Sequence, residues 1–298
     1  MASALVDQIK ELQEKRNAVI LAHVYQRDEV QSLADFTGDS LALSRKAVET
    51  EAQVIVFCGV QFMAETAAIL NPDKTVLLPV KAAGCELADM ATAEDVRAKK
   101  KQLPDAKVVS YVNSAAEVKA ASDICCTSSN AVDVVRSIGE GPVLFVPDRN
   151  LGAYAASVTG KHVRLWDGWC YVHEDIKPER IRALRSRHPE AKVMVHPECT
   201  PAVINLADYV GSTAQMLTYA SESQAEEFIV GTEDGLLFPL KRDNPGKAFY
   251  PVGTICRGMK TITLEHVRNA LALMQYRVHV PEAIRARAKR ALDRMLEL

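Results

Sequence analysis

Apolar and polar positions along the chain follow two alternating periods. The segment VDQIKELQEKRNAVILAHVY, residues 6–25, first spaces its apolar side chains at helical intervals and then becomes a continuous apolar, β-branched run. That change of period predicts an amphipathic helix feeding a buried strand. EDVRAKKKQLPDAKVVSYVN, residues 94–113, and ERIRALRSRHPEAKVMVHPE, residues 179–198, carry the same pattern. Each unit continues with a helical stretch, a short Gly, Ser and Thr turn, another helix and an apolar run, namely VIVFCG, VLFVPD or FIVGTE. Helices alternating with short apolar strands predict α/β units with small parallel sheets.

The units are copies of one another. Cys85, Cys170 and Cys256 are 85 and 86 residues apart, and their surroundings move with them. Glu94, Arg97, Pro104, Ala106, Lys107 and Val108 match Glu179, Arg182, Pro189, Ala191, Lys192 and Val193, and Glu265 and Arg268 begin a further copy. A period of this length exceeds the roughly 20 to 50 residues of solenoid repeats. The expected architecture is therefore three pseudo-threefold-related three-layer αβα domains: residues 1–87, 88–172 and 173–258. A tail, 259–298, reads as a basic helix, a short RVHV strand and a last helix packing back on the body. Ligands of open parallel sheets bind outside the carboxyl ends of the strands, so three such ends facing one axis would build one shared site.

The first strand of each unit ends in unusual residues. The repeat aligns His23, Tyr111 and His196, and two positions on, Tyr25, Asn113 and Glu198. Residues i and i+2 of an extended segment share a face, so each strand end offers a polar, proton-handling pair where packing alone would place Val, Ile or Leu. The turns GDS, TSSN and GST put Ser40, Ser128 and Ser212 at matching places before helices, whose N-termini favour carboxylate or phosphate groups. The three repeat-equivalent cysteines would meet on the axis. Three thiolates from distant segments, without the close C-x2-4-C pairs of structural zinc, fit an iron-sulfur centre with one iron left open as a Lewis acid. Cys58, Cys125, Cys126 and Cys199 have no repeat-equivalent cysteines and read as packing residues.

Composition narrows the partners. The chain has 298 residues, 48% hydrophobic, and its 36 Lys and Arg against 38 Asp and Glu leave a formal net charge of -2. That balance supplies no basic surface for nucleic acid or anionic membrane and suits a small polar ligand. With no run of membrane length and no apolar leader core, the expected location is the cytoplasm. Seven scattered cysteines argue against a disulfide framework.

The motifs ILAHVYQ, ADFTGDSLALSRKA, AGCELAD, SYVNSAAEVKAASDICCTSSNAV, PDRNLGAY, GWCYVHE, VMVHPEC, DYVGST and VGTEDG span essentially the whole chain and resemble quinolinate synthase. The resemblance implies a 4Fe-4S cluster on Cys85, Cys170 and Cys256, and condensation of iminoaspartate with dihydroxyacetone phosphate to quinolinate in de novo NAD biosynthesis. It implies that His23, Ser40, Asn113, Ser128, His196, Ser212 and Thr213 grip substrate carboxylates and phosphate, with Glu198 also in contact. Tyr25 and Tyr111 would position substrate and move protons, Glu198 and His196 would serve acid-base steps, and His173 would sit beside cluster and substrate. A transient contact with the enzyme producing iminoaspartate is a further expectation. TICRGMK holds Cys256 alone where some relatives carry CxxCxxC, and Val24 stands between His23 and Tyr25 where a polar or aromatic residue is frequent. Val24 should point away from the His23 face. Trp166 and Trp169 are expected to do no more than shield the pocket. The rival readings are an aconitase-like hydro-lyase, whose close CxxC pair is missing, and an iron-sulfur redox sensor, which would not need the His, Tyr and Glu set.

Overall fold

A computed structural model describes residues 2–298. It contains three four-stranded sheets, every pairing within them parallel. The first holds β1 (Ala18–His23), β2 (Phe36–Gly38), β3 (Val54–Cys58) and β4 (Thr75–Leu77) in the order β2-β1-β3-β4. The second, from β5 (Lys107–Tyr111), β6 (Ile124–Cys126), β7 (Val143–Val146) and β8 (Val163–Leu165), has the order β6-β5-β7-β8. The third, from β9 (Lys192–Val195), β10 (Tyr209–Val210), β11 (Glu227–Gly231) and β12 (Ala248–Pro251), repeats it as β10-β9-β11-β12. The α/β class read from periodicity is the one observed. β2, β6 and β10 are short edge strands within the stretches read as turns. Two or three pairings with β1, β5 or β9 suffice to hold them.

Both faces of the central strands are covered by helices, so β3 is buried at all five positions and β7 at all four. Burial on two faces explains why these strands read as unbroken apolar runs instead of alternating.

Side chains repeat the architecture. Asp35, Asp123 and Asp208 each accept the backbone N–H of the central-strand residue Ile20, Val108 or Val193 at 2.8 Å. Each also pairs with a base from the preceding helix: Lys10 at 3.7 Å, Lys100 at 3.2 Å and Arg185 at 2.9 Å. Lys74, Lys161 and Lys247 donate to carbonyls at the C-terminal ends of the helices Ser40–Glu49, Ala131–Ser137 and Thr213–Glu222. A cation there satisfies orphan carbonyls and the negative end of the helix dipole.

Beyond Met259 the RVHV stretch is not a strand. It makes one antiparallel bridge, Arg277 to Leu77, at the edge of β4, because Met274 and Tyr276 before it adopt left-handed φ values of 49° and 58° that break extension. The helix Glu282–Leu296 lies against the helix Ala116–Ala120, β6 and the helix Gln61–Leu70. Among the described residues no helix is long and apolar enough to cross a membrane.

Candidate active site

The strand order turns outward in both directions from the gap between β1 and β3, and from its counterparts. In open parallel sheets a crevice opens there, beyond the carboxyl ends. His23 and Tyr111 are the last residues of β1 and β5, and His196 directly follows β9. All three, with Tyr25, Asn113 and Glu198, line a single cavity that also receives Cys85, Cys170, Cys256 and His173. Sheets from all three units thus feed one space.

The hydroxyl set needs one correction. Register pairs His23 with Gly38 and Tyr111 with Cys126, and pairs Val195 with Val210, so Gly211 is the third counterpart of Gly38. The equivalents of Ser40 and Ser128 are therefore Thr213, and Ser212 matches Asp39 and Thr127. Ser40, Ser128 and Thr213 line the cavity. Ser212 is fully buried and caps its helix, accepting from the Gln215 N–H at 3.3 Å. Serine identity misaligned the loops because threonine offers the same hydroxyl.

Two residues beside this set escaped the sequence reading. Asp39 caps the helix Ser40–Glu49, accepting from the Ala42 N–H at 2.9 Å. The Ser129 hydroxyl touches both the Asp39 carboxylate and, at 2.8 Å, the Ser212 hydroxyl. One serine of the second unit thereby joins the anion-facing loops of the first and third. The GDS turn held the signal for Asp39, a short acid before a helix; nothing local marked Ser129.

Burial sets the protonation of the cavity. Tyr25 N–H donates to Nδ1 of His23 at 3.1 Å, and Glu198 N–H donates to Nδ1 of His196 at 3.3 Å. These backbone donors assign the free ring proton of each histidine to Nε2. Burial, followed by the His196 and Lys260 charges, lowers His23 to about 3. Burial and His173 lower His196 as well, so both rings are neutral donors. The phenols of Tyr25 and Tyr111 are pushed up by burial and stay protonated. Burial by itself would raise Glu198, but His173, whose Nδ1 lies 3.3 Å from the carboxylate, outweighs it and holds the acid below the usual carboxylate range. His173 stacks on His196 with ring centroids 4.5 Å apart.

The cysteines enter alike. Cys170 and Cys256 cap the short helices Tyr171–Glu174 and Arg257–Lys260, and Cys85 opens a turn in which Ala88 N–H donates to its carbonyl at 3.0 Å. Burial pushes Cys85 up to about 12 and raises Cys170 and Cys256, with the N–H groups of Ala88, His173 and Met259 opposing. Such thiols lose their protons to a bound metal. All three are unpaired and partly exposed to the cavity. Around them Asn113 Oδ1, His173 Nδ1 and Glu198 Oε1 are buried with no hydrogen-bond partner among the described residues. Donor atoms of Cys170, His173 and Glu198 lie within 4.8 Å of one another, close enough to hold a metal. Soft thiolates beside a carboxylate and an imidazole suit a transition-metal centre.

The other sequence features fall outside the cavity. Cys58, Cys125, Cys126 and Cys199 are fully buried in apolar core. Val24 is buried and does not line the cavity. Neither tryptophan shields it: Trp166 Nε1 donates to the Met90 carbonyl at 2.8 Å, and Trp169 lies under the Arg149 guanidinium at 4.3 Å.

Comparison with known proteins agrees over the full length. The family model described as quinolinate synthetase A protein matches residues 7–297. A quinolinate synthase of Desulforudis audaxviator is 56% identical, covering 100% of this chain and 99% of the relative. Quinolinate synthase 2 of Methanosarcina acetivorans is 53% identical over 99% of this chain and 96% of its own. A quinolinate synthase from Geobacter sp. strain M21 is 54% identical over 99% and 97%.

Proposed function

The chain belongs to the quinolinate synthetase A family, a family of enzymes, and from that premise we propose that it condenses iminoaspartate with dihydroxyacetone phosphate to quinolinate, releasing phosphate and two waters. The observation that carries this reading is the single cavity into which three sheets deliver three thiols together with His, Tyr, Asn and Glu side chains. We read the units as dividing near residues 87 and 172, with the tail from 259, and the reaction as a cytoplasmic step of NAD biosynthesis. The partner that supplies iminoaspartate would make only transient contact.

Cys85, Cys170 and Cys256 would hold a 4Fe-4S cluster, which when bound supplies an open iron as Lewis acid. The remaining work falls to side chains. Ser40, Ser128 and Thr213 offer hydroxyls to phosphate and carboxylate oxygens, and the helices starting at Ser40 and Thr213 add N–H groups at their positive ends. Ser212 acts behind them by fixing the third loop. His23 and His196 donate from Nε2 to carboxylate oxygens, and Asn113 orients the bound chain of atoms. Glu198, ionised and buried, takes the proton in the isomerisation and dehydration steps; Tyr25, Tyr111 and His173 lie close enough to return one. Enclosure keeps water from competing for these groups.

The test is an anaerobic assay on cluster-reconstituted protein supplied with both substrates, read by quinolinate absorbance and mass. Quinolinate is expected. An intact cluster with no quinolinate overturns the reading, and hydration of a tricarboxylate in its place would favour the hydro-lyase.

A further inference from the structure

Glu86, Tyr171 and Arg257 each directly follow one of the three thiols, and they meet outside the cavity. Arg257, from the third unit, reaches both of the others. Its guanidinium lies 2.7 Å from the Glu86 carboxylate and 4.7 Å from the centre of the Tyr171 ring. Its backbone N–H donates to the Tyr171 phenol oxygen at 2.7 Å. The ion pair is exposed at both ends and contributes little by itself. The half-buried phenol is the part of this junction that bears on a ligand.

A phenol keeps one proton at neutral pH and accepts through its lone pairs. The Arg257 N–H occupies a lone pair, so the Tyr171 proton is left for another group. The side chain it meets is the Cys256 thiol. A neutral thiol is a weak acceptor, but a thiolate on a metal carries charge and accepts strongly. The contact therefore strengthens once Cys256 is a ligand. Cys85 and Cys170 face donors of another kind, the backbone N–H groups of Ala88 and His173.

We propose that Tyr171 is a positioning residue for Cys256: its O–H bonds the Cys256 sulfur, and its ring, with Arg257 across it, closes the outward side of that thiol. Hydrogen bonds to cluster sulfurs draw charge from them and so help to set the reduction potential. One corner of the thiol triad is thus made less electron-rich than the other two and is screened from water. The proposal rests on the cluster assigned above to Cys85, Cys170 and Cys256.

Tyr171→Phe, which keeps the ring and removes the O–H, tests the bond in the holoenzyme. Its cluster should form at wild-type iron content and show, in anaerobic redox titration, a reduction potential shifted to more negative values. Glu86→Gln, which breaks only the exposed ion pair, should not lower the potential. An unchanged potential in Tyr171→Phe, or an equal downward shift in both variants, overturns the proposal.

A second reading needs no cluster. In cluster-free full-length protein, Tyr171→Ala should speed alkylation of Cys256 by iodoacetamide about tenfold and that of Cys170 less, each followed by peptide mass. An unchanged Cys256, or faster reaction at Cys170 alone, marks a merely local role and overturns the proposal. Cys126, fully buried, reports on folding; if it reacts in Tyr171→Ala, Tyr171→Ser takes that variant's place. Should the wild-type chain take up no cluster, the cluster assignment falls and alkylation alone decides the role of Tyr171. Should only Tyr171→Phe take up none, alkylation decides in the same way.

Discussion

The loop that delivers Cys85 and the loops that deliver Cys170 and Cys256 reach the same cavity by different means. Register places Cys58, Val146 and Gly231 at equivalent points of β3, β7 and β11. Two residues on stand Val60, Asp148 and Glu233. Asp148 Oδ2 accepts the Cys170 N–H and Glu233 Oε1 the Cys256 N–H, each at 3.1 Å, and both acids are fully buried. Val60 can make no such bond. The first loop is wedged instead by the third unit: a Cβ on Gly258 would stand 2.2 Å from the Gly84 carbonyl oxygen and 3.2 Å from Val60 Cγ1. Two thiols are thus positioned from within their own units and one by close backbone packing across units. Three repeat-equivalent thiols do not require threefold support.

The largest expected effect concerns the proposed cluster ligands. Cys85→Ala, Cys170→Ala and Cys256→Ala should each abolish the brown chromophore of anaerobically reconstituted protein, and Cys126→Ala should keep it; loss of colour in Cys126→Ala would undo the ligand assignment. Next comes the wedge. A methyl group forced against Gly84 costs about 1–3 kcal/mol or displaces the loop, so Gly258→Ala should fall well below wild type in iron bound per chain. Gly246→Ala is the control, since its Cβ would meet nothing within 4 Å.

Glu233→Gln and Asp148→Asn probe the other mode of support. Either should speed cluster loss to a chelator about tenfold, in line with outer-shell partners of metal ligands. Val60→Ala should leave that rate unchanged and cost only about 1–3 kcal/mol of melting stability through the lost core methyls. Equal chelator sensitivity in all three would erase the distinction between the loops.

A further test uses acid. His23 is held neutral, lowered from 6.5 to about 3, so the unfolded chain binds a proton in this range that the folded chain refuses. Stability is complete above pH 6.5 and is lost as pH falls toward 3, by at most about 5 kcal/mol. In cluster-free protein His23→Asn should flatten this slope in urea titrations. The equivalent place in the second unit is Tyr111, whose substitution by Phe should leave the slope as it is.

Much of this molecule was legible in advance for a physical reason. A helix or strand writes its period into neighbouring residues, so the α/β order and the 85- and 86-residue spacing of the cysteines could be read directly. His23, Tyr111 and His196 stood out because each is a polar residue where a strand end needing only to pack would carry an apolar one. The Ser212 alignment slipped by one position because identity was followed where register mattered. RVHV has strand-like residues, yet the left-handed backbone of Met274 and Tyr276 leaves it a single bridge.

By itself, then, the sequence determined the class of fold, the threefold repeat and the strand-end residues that face one another. Only the tertiary structure decided how they are held. Tyr171 and Arg257 are 86 residues apart, Asp39 and Ser129 are 90, and the Gly258 wedge meets Gly84 from another unit. Such contacts arise when sheets dock, and docking imposes no period on the chain that could announce them.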